Sequence, residues 1–187
     1  YIAFNEDKMK EAIYRYFDTP SSLAWDMKTL LNGVVLRDES TVATVSGSVK
    51  WFSVMSKSIL HSGKHEFEIL IIKIPTYNAW KITIGIVPDT FTPSNTWIGA
   101  PKSGWSYVSH GFKCHNSGNG KSFGARYSEN DTIRCVVDLT KETLSFYKND
   151  IFQGIAFENI KGPVRPAVAI CGGGGCVKLT KVNRIFD

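Results

Sequence analysis

Two hydrophobic periods run along this chain, and one gives way to the other near residue 22. Before that point Met9, Ile13, Tyr16 and Phe17 recur at three- and four-residue steps, which predicts a helix over Glu6–Phe17 with one apolar face. Asn5 stands where its side chain can accept from a free backbone N–H of the first turn, and Asp18-Thr19-Pro20-Ser21-Ser22 stops the helix. The stripe is expected to pack on the β-rich remainder of the chain rather than to bind a partner. Residues 1–22 thus read as a helical extension, and residues 23–187 as one domain.

From Leu23 onward the pattern is short strands and turns. Asn32-Gly33 is a turn signal ahead of Val34-Val35-Leu36, and Val49 to Met55 carries Trp51 and Phe52. His65 to Ile74 reads as a long strand; Ile69 to Ile72 is apolar without interruption, which predicts a central strand covered on both faces. In Trp80 to Val87, Ile82, Ile84 and Ile86 alternate with Lys81, Thr83 and Gly85. Thr132 to Phe157 predicts a three-strand meander. Ile133, Cys135 and Val137 face inward and Arg134 and Asp138 outward, Thr140-Lys141-Glu142 reverses the chain, Leu144 and Phe146 continue the inner face, and Asn149-Asp150 makes a tight turn. Arg165 to Ile170 and Cys176 to Val182 add two strands across Gly172 to Gly175. Strands at this spacing, with a helix only at the start, predict an all-β chain folded as an antiparallel two-sheet β-sandwich with a short N-terminal helix.

Composition narrows the class. At 43% hydrophobic and 21% charged the chain is globular rather than disordered. Ile69-Leu70-Ile71-Ile72 is far too short to span a bilayer, and no signal peptide is visible. The first residue is Tyr1, so the chain is expected to be part of something longer. The net charge of +5 comes from scattered Lys and Arg, no two of them adjacent, which reads as a solvated surface and makes nucleic acid an unlikely partner. Cys135 should be a buried thiol; Cys171 and Cys176, flanking the glycines, could close a small disulfide loop, but reduced thiols in an intracellular protein, cytoplasmic or nuclear, are favoured.

The segments together resemble a family. Ser62-Gly63-Lys64-His65-Glu66-Phe67-Glu68 is similar to the first conserved strand of SPRY (B30.2-like) domains, and Trp80 with Ile84-Gly85-Ile86 to the next. Gly104-Trp105-Ser106-Tyr107, Asp131-Thr132-Ile133 through Val137-Asp138-Leu139, and Leu144-Ser145-Phe146-Tyr147-Lys148-Asn149 come after them, with Asp150 in the usual glycine place. Gly154-Ile155-Ala156-Phe157 and Pro166-Ala167-Val168 complete an ordered series over about residues 25 to 182. The resemblance implies a concanavalin-like sandwich whose variable loops bind a peptide or protein surface, within a larger scaffold, ubiquitin-ligase or chromatin-type protein, without catalysis, cofactor or metal. Carried over by position, it implies a binding surface from Arg37, Asp38, Glu39, Ser40 and Thr41, from Lys113, Cys114 and His115 extending toward Asn116, and from Cys171, Gly172, Gly173 and Gly174. The peptide-binding subgroup carries Val-Trp-Gly at the last of these; Cys171-Gly172-Gly173 lacks that Trp anchor, and glycines there suit main-chain contacts. Trp97 is a further exposed-aromatic candidate.

The residues speak against other chemistry. Gly120-Lys121-Ser122 lacks the earlier glycine of a phosphate loop, since His115 stands there. Cys114 and His115 are adjacent, so on a strand they face opposite ways and cannot share a metal or act as a nucleophile–base pair. Asp131 and Asp138 lie at opposite ends of one strand, roughly 23 Å apart, too far for a two-carboxylate hydrolase. Glu68 is expected to tie strands together through a charged partner, and Asn130-Asp131-Thr132 to be an accidental glycosylation sequon. The alternatives are a carbohydrate-binding sandwich, with Trp97 stacking on a sugar, and a nucleic-acid-binding one. No small-molecule substrate is implied.

Overall fold

The computed structural model describes residue 9 and residues 22–47, 49–76 and 80–186. Apart from Met9, the helix expected over Glu6–Phe17 lies outside the described residues; the next helical segment is a single 3-10 turn, Met27–Thr29, with Asp26 at its N-cap accepting from the Lys28 N–H.

The described residues form thirteen strands: β1 (Val34–Arg37), β2 (Val42–Val45), β3 (Trp51–Met55), β4 (Lys64–Lys73), β5 (Ile82–Pro88), β6 (Trp105–Val108), β7 (Phe112–His115), β8 (Lys121–Ser122), β9 (Thr132–Asp138), β10 (Thr143–Lys148), β11 (Ile151–Glu158), β12 (Val164–Cys171) and β13 (Cys176–Ile185). One sheet has the order β1-β2-β13-β4-β9-β10-β11, the other β3-β12-β5-β6-β7-β8, and every ladder is antiparallel. The predicted meander is β9–β10–β11, and its turn places Asn149 and Asp150 at φ 48° and 64°, the left-handed region that a tight hairpin demands.

Alternation builds the core. Phe67, Ile69 and Ile71 of β4, Ile133, Cys135 and Val137 of β9, and Leu144 and Phe146 of β10 meet Ile82, Ile84 and Ile86 of β5 and Val168 and Ile170 of β12 between the sheets. Each large side chain taken from water here contributes about 1.5–3 kcal/mol before entropy is subtracted. The outer face of β4 departs from expectation. Glu66, Glu68 and Leu70 are half-buried and Ile72 is exposed, so this central strand is covered on one face only. Its acids are paired: Arg134 of β9 lies 3.5 Å from Glu66 and 3.9 Å from Glu68, and Lys181 of β13 lies 2.5 Å from Glu66.

β12 and most of β5 are buried on both faces, as are Phe52–Met55 of β3 and Ser106–Val108 of β6. The outward positions of β5, read as its polar side, lie under a second, smaller core of Met55, Val87, Ile98, Ala167 and Ala169, with Trp51 and Phe91 packed against it. Segment 89–104 forms this cover. The Ile98 N–H donates to Thr83 Oγ1 at 3.1 Å, the Ser106 hydroxyl to Ile98 O, and Ser94 and Ser53 bond reciprocally. Hydroxyls of Thr83, Ser106 and Ser53, buried and polar in the sequence, are thus the staples of the cover. Gly85 is fixed by the same crowding: a Cβ there would fall 1.8 Å from the Trp105 carbonyl oxygen of β6.

Candidate recognition surface

The sharpest local structure outside the core is the glycine connection between β12 and β13. Its backbone is held from several sides: Gly174 N–H donates to Val45 O, Val45 N–H to Gly175 O, Gly172 N–H to Lys50 O, and Cys171 N–H to Lys81 O, all at 2.8–3.0 Å. The tip therefore leans on the β2–β3 connection at Gly47 and Lys50. A Cβ at Gly173 would stand 2.6 Å from the backbone N of Gly47, so the closeness of these two chain segments requires glycine. Gly173 is exposed at the apex.

An aromatic row begins beside this tip, on the outer face of the six-stranded sheet. Trp51 pairs in register with Cys171. Trp97, delivered by the cover, lies 6.2 Å from both Trp51 and Trp80, edge-on to the latter at 88°, and Trp80 lies 6.4 Å from Phe112. All of these rings are half-buried, each showing part of one side to solvent. The Trp97 indole N–H is buried and meets no oxygen or nitrogen acceptor; the group beside it is the Cys114 thiol.

The remaining sequence-derived candidates fall elsewhere. The turn bearing Arg37, Asp38, Glu39 and Ser40 precedes β2, whereas the glycine tip bonds to the end of β2, so the two occupy opposite ends of that strand. Asp38, Glu39 and Ser40 have consecutive positive φ of 50°, 53° and 65°, a left-handed turn pinned by the Trp25 N–H donating to Ser40 O and the Trp25 indole to Thr41 O. Arg37, Asp38 and Glu39 are exposed.

Lys113 points between the sheets: its ammonium donates to Ala156 O of β11 at 2.6 Å and sits 5.8 Å and 5.5 Å above the Phe123 and Phe157 rings. His115 stacks on Trp105 at 4.6 Å and 7°; its Nδ1 meets Gly104 O at 2.8 Å and its Nε2 meets Asn116 Nδ2 at 3.1 Å. Asn116 Oδ1 accepts from the Lys102 N–H, which orients the amide so that its NH2 group faces His115.

Cys114 faces the other way, under Trp97, with its thiol on Ser117 O and Gly99 O. Burial pushes this thiol up against the opposing pull of its hydrogen bonds, and burial pushes Cys135 well above the ordinary range against the opposing charge of Arg134, so neither is primed as a nucleophile. Among the described residues no group of His, Cys, Asp and Glu is arranged to hold a metal. All the cysteines are free thiols. Ile170 and Val177 point into the core, so Cys171 and Cys176 beside them point to opposite outer faces, which explains why the glycine loop is not closed by a disulfide.

Residues 46–50, Trp51 and Trp80 did not emerge as site residues from the sequence. Ser46-Gly47 is a loop signal that marks the first of them, but only the β2–β13 pairing brings that loop to the glycines.

A covered antiparallel sandwich that presents a rigid loop edge and a half-exposed aromatic row is a binding scaffold in class. Family comparison gives the same class a name. The SPRY domain model matches residues 64–182, and the chain belongs to that family, whose members are generally protein-interaction modules. Among curated relatives, the Ran-binding proteins 9/10 homolog of Drosophila melanogaster is 30% identical over 73 residues, 36% of this chain and 8% of that protein. The dual specificity protein kinase splA of Dictyostelium discoideum is 38% identical over 50 residues, 27% of this chain and 2% of that protein. The chain thus spans a small part of these relatives. The SPRY domain of human HERC1 superposes with a TM-score of 0.70 at 20% identity, covering 84% of this chain and 98% of that one. The TRIM65 PSpry domain gives 0.68 at 15%, covering 92% and 95%. Among the described residues no helix is long and apolar enough to cross a membrane.

Proposed function

We propose that this chain is the non-catalytic recognition unit of a larger intracellular scaffold-type protein, and that it binds a protein or peptide at one end of the sandwich. The binding surface consists of the glycine tip with Cys171, Gly172 and Gly173, the neighbouring residues Ser46, Gly47, Val49 and Lys50, and the row of Trp51, Trp97 and Trp80. The observation that carries this reading is the junction of tip and row. A main-chain edge held by four backbone hydrogen bonds adjoins half-exposed tryptophans, the residue type that dominates binding energy at interfaces. Such a surface is organised before the partner arrives, which limits the ordering cost of binding.

Within this reading Lys113 and His115 support the scaffold, and the exposed Arg37–Ser40 turn belongs to the far end. A photo-reactive residue placed at Lys50 in the intact parent protein is expected to capture the partner, and one placed at Glu39 is not. Capture from Glu39 alone would move the binding surface to the opposite end.

A further inference from the structure

The charge around the glycine tip narrows the kind of partner. We propose that this surface selects an acidic peptide segment, whose carboxylates meet Lys73 and Lys81 while an apolar side chain of the same segment lies on the tryptophan row. The proposal rests on the recognition surface described above and adds the partner's chemistry to it.

The tip has a lysine on each side. Lys50 supplies the carbonyl that receives the Gly172 N–H, Lys81 supplies the one that receives the Cys171 N–H, and the Lys73 ammonium would lie 3.7 Å from a Cβ built on Gly174. Lys50 and Lys73 are exposed and Lys81 half-exposed. The three come from separate places in the sequence, the β2–β3 connection, the end of β4 and the approach to β5, so only the fold gathers them. Glu129 Oε1 accepts from the Ile74 N–H, one residue beyond Lys73.

Lys81 carries a second signal. Its φ is +45°, a left-handed conformation that glycine or asparagine adopts far more easily. This turn sets Lys81 between Trp80 and the first residue of β5, at the junction of the tip and the aromatic row. Gly173 is exposed at the apex, between the Gly172 and Gly174 amides that bond to Lys50 O and Val45 O.

A nucleic acid would also answer to lysines beside aromatic rings. One observation favours the peptide: the rings are packed edge and tilt against one another instead of offering parallel stacking faces.

The test uses the full 187-residue chain and fluorescent short peptide pools with a central Leu or Phe, flanked by Asp/Glu, by Asn/Gln or by Lys/Arg, together with a single-stranded oligonucleotide. The acidic pool is expected to bind at least about tenfold more tightly than the Asn/Gln pool, with an affinity that falls as salt is raised. The double reversal K73E/K81E should remove that preference, and K57E, outside the tip, should not. Equal binding of the acidic and Asn/Gln pools, or tighter binding of the oligonucleotide, overturns the acidic-peptide proposal. So does failure of every pool to bind. If neutral pools bind equally and W51A abolishes them, the surface stands and only its charge preference falls. If the acidic pool binds W51A and the native chain alike, the surface itself is wrong.

Discussion

Arg165 donates from Nη2 to Asp26 Oδ2 at 2.8 Å, and both side chains are largely buried. The same guanidinium donates through Nε to Ser56 O, so it ties the segment ahead of β1 to β12 and to the end of β3. Asp26 in turn caps the Met27–Thr29 turn. Removing one partner strands a buried charge, so Asp26→Ala should lose about 3–5 kcal/mol in urea unfolding, while replacing both residues by apolar ones of similar volume should cost much less.

The same pair predicts a pH dependence. Burial raises the Asp26 carboxyl, but the Arg165 bond, the Lys28 N–H and the nearby charges outweigh it and hold the group below its ordinary 3.8. A carboxyl lowered on folding contributes stability that is present above the unfolded value and disappears as pH falls through the folded one. Acid unfolding below about pH 3.8 should therefore be steeper for the native chain than for Asp26→Asn. Matching pH profiles for the two would refute this.

Lys113 should behave as a structural residue. Lys113→Met keeps the apolar stem but abandons the Ala156 carbonyl, and a hydrogen bond from a charged donor is worth about 1.5–3 kcal/mol. The melting temperature is expected to drop, with peptide or partner affinity retained. Lost affinity at unchanged stability would return Lys113 to the binding surface.

Two glycines should separate folding from recognition. Gly85→Ala drives a methyl to 1.8 Å from the Trp105 carbonyl inside the sheet, and should destabilise by about 1–3 kcal/mol or more. Gly173→Ala meets Gly47 at an exposed edge, so it should shift the tip and weaken partner binding while leaving most of the unfolding free energy in place. Calorimetry and binding measured on the same two variants decide the matter.

At the aromatic row, Trp51→Ala is expected to cost about 2 kcal/mol or more of binding free energy, and Arg37→Glu at the far turn close to none. The reverse ranking in a titration would place the contact at the Arg37 end.

Thiol labelling of the native chain should be confined to Cys176, whose Sγ accepts from Thr44 at the surface, because Cys114, Cys135 and Cys171 are buried. Mild oxidation should leave Cys171 and Cys176 unlinked. A disulfide between them, found by peptide mapping, would contradict their opposite facing.

Period-two alternation made the sandwich legible in the sequence. Ile133, Cys135 and Val137, and Leu144 and Phe146, sit where the pattern put them, because inward facing is a local property of a strand. Coverage is not local. Ile69 to Ile72 looked doubly buried, yet Ile72 is exposed, while Thr83 looked outward and is fully buried under segment 89–104. What covers a face is decided by a distant segment, and Ser53, Thr83 and Ser106 give no period that announces it. Of the proposed site, the sequence offers Cys171–Gly173 and Trp97 as candidates, but the partner of the glycines is the β2–β3 connection at Gly47 and Lys50, selected by strand order across the chain rather than by any motif.

Trp97 and Ile98 are joined by one peptide bond, the first facing the aromatic row and the second closing the smaller core. Whatever presses on that indole therefore also presses on the roof of the domain. Occupancy at the rim should be felt as slower hydrogen exchange at the Ile98 amide, through its bond to Thr83, so that attachment of a partner and resistance to local opening become one measurable event.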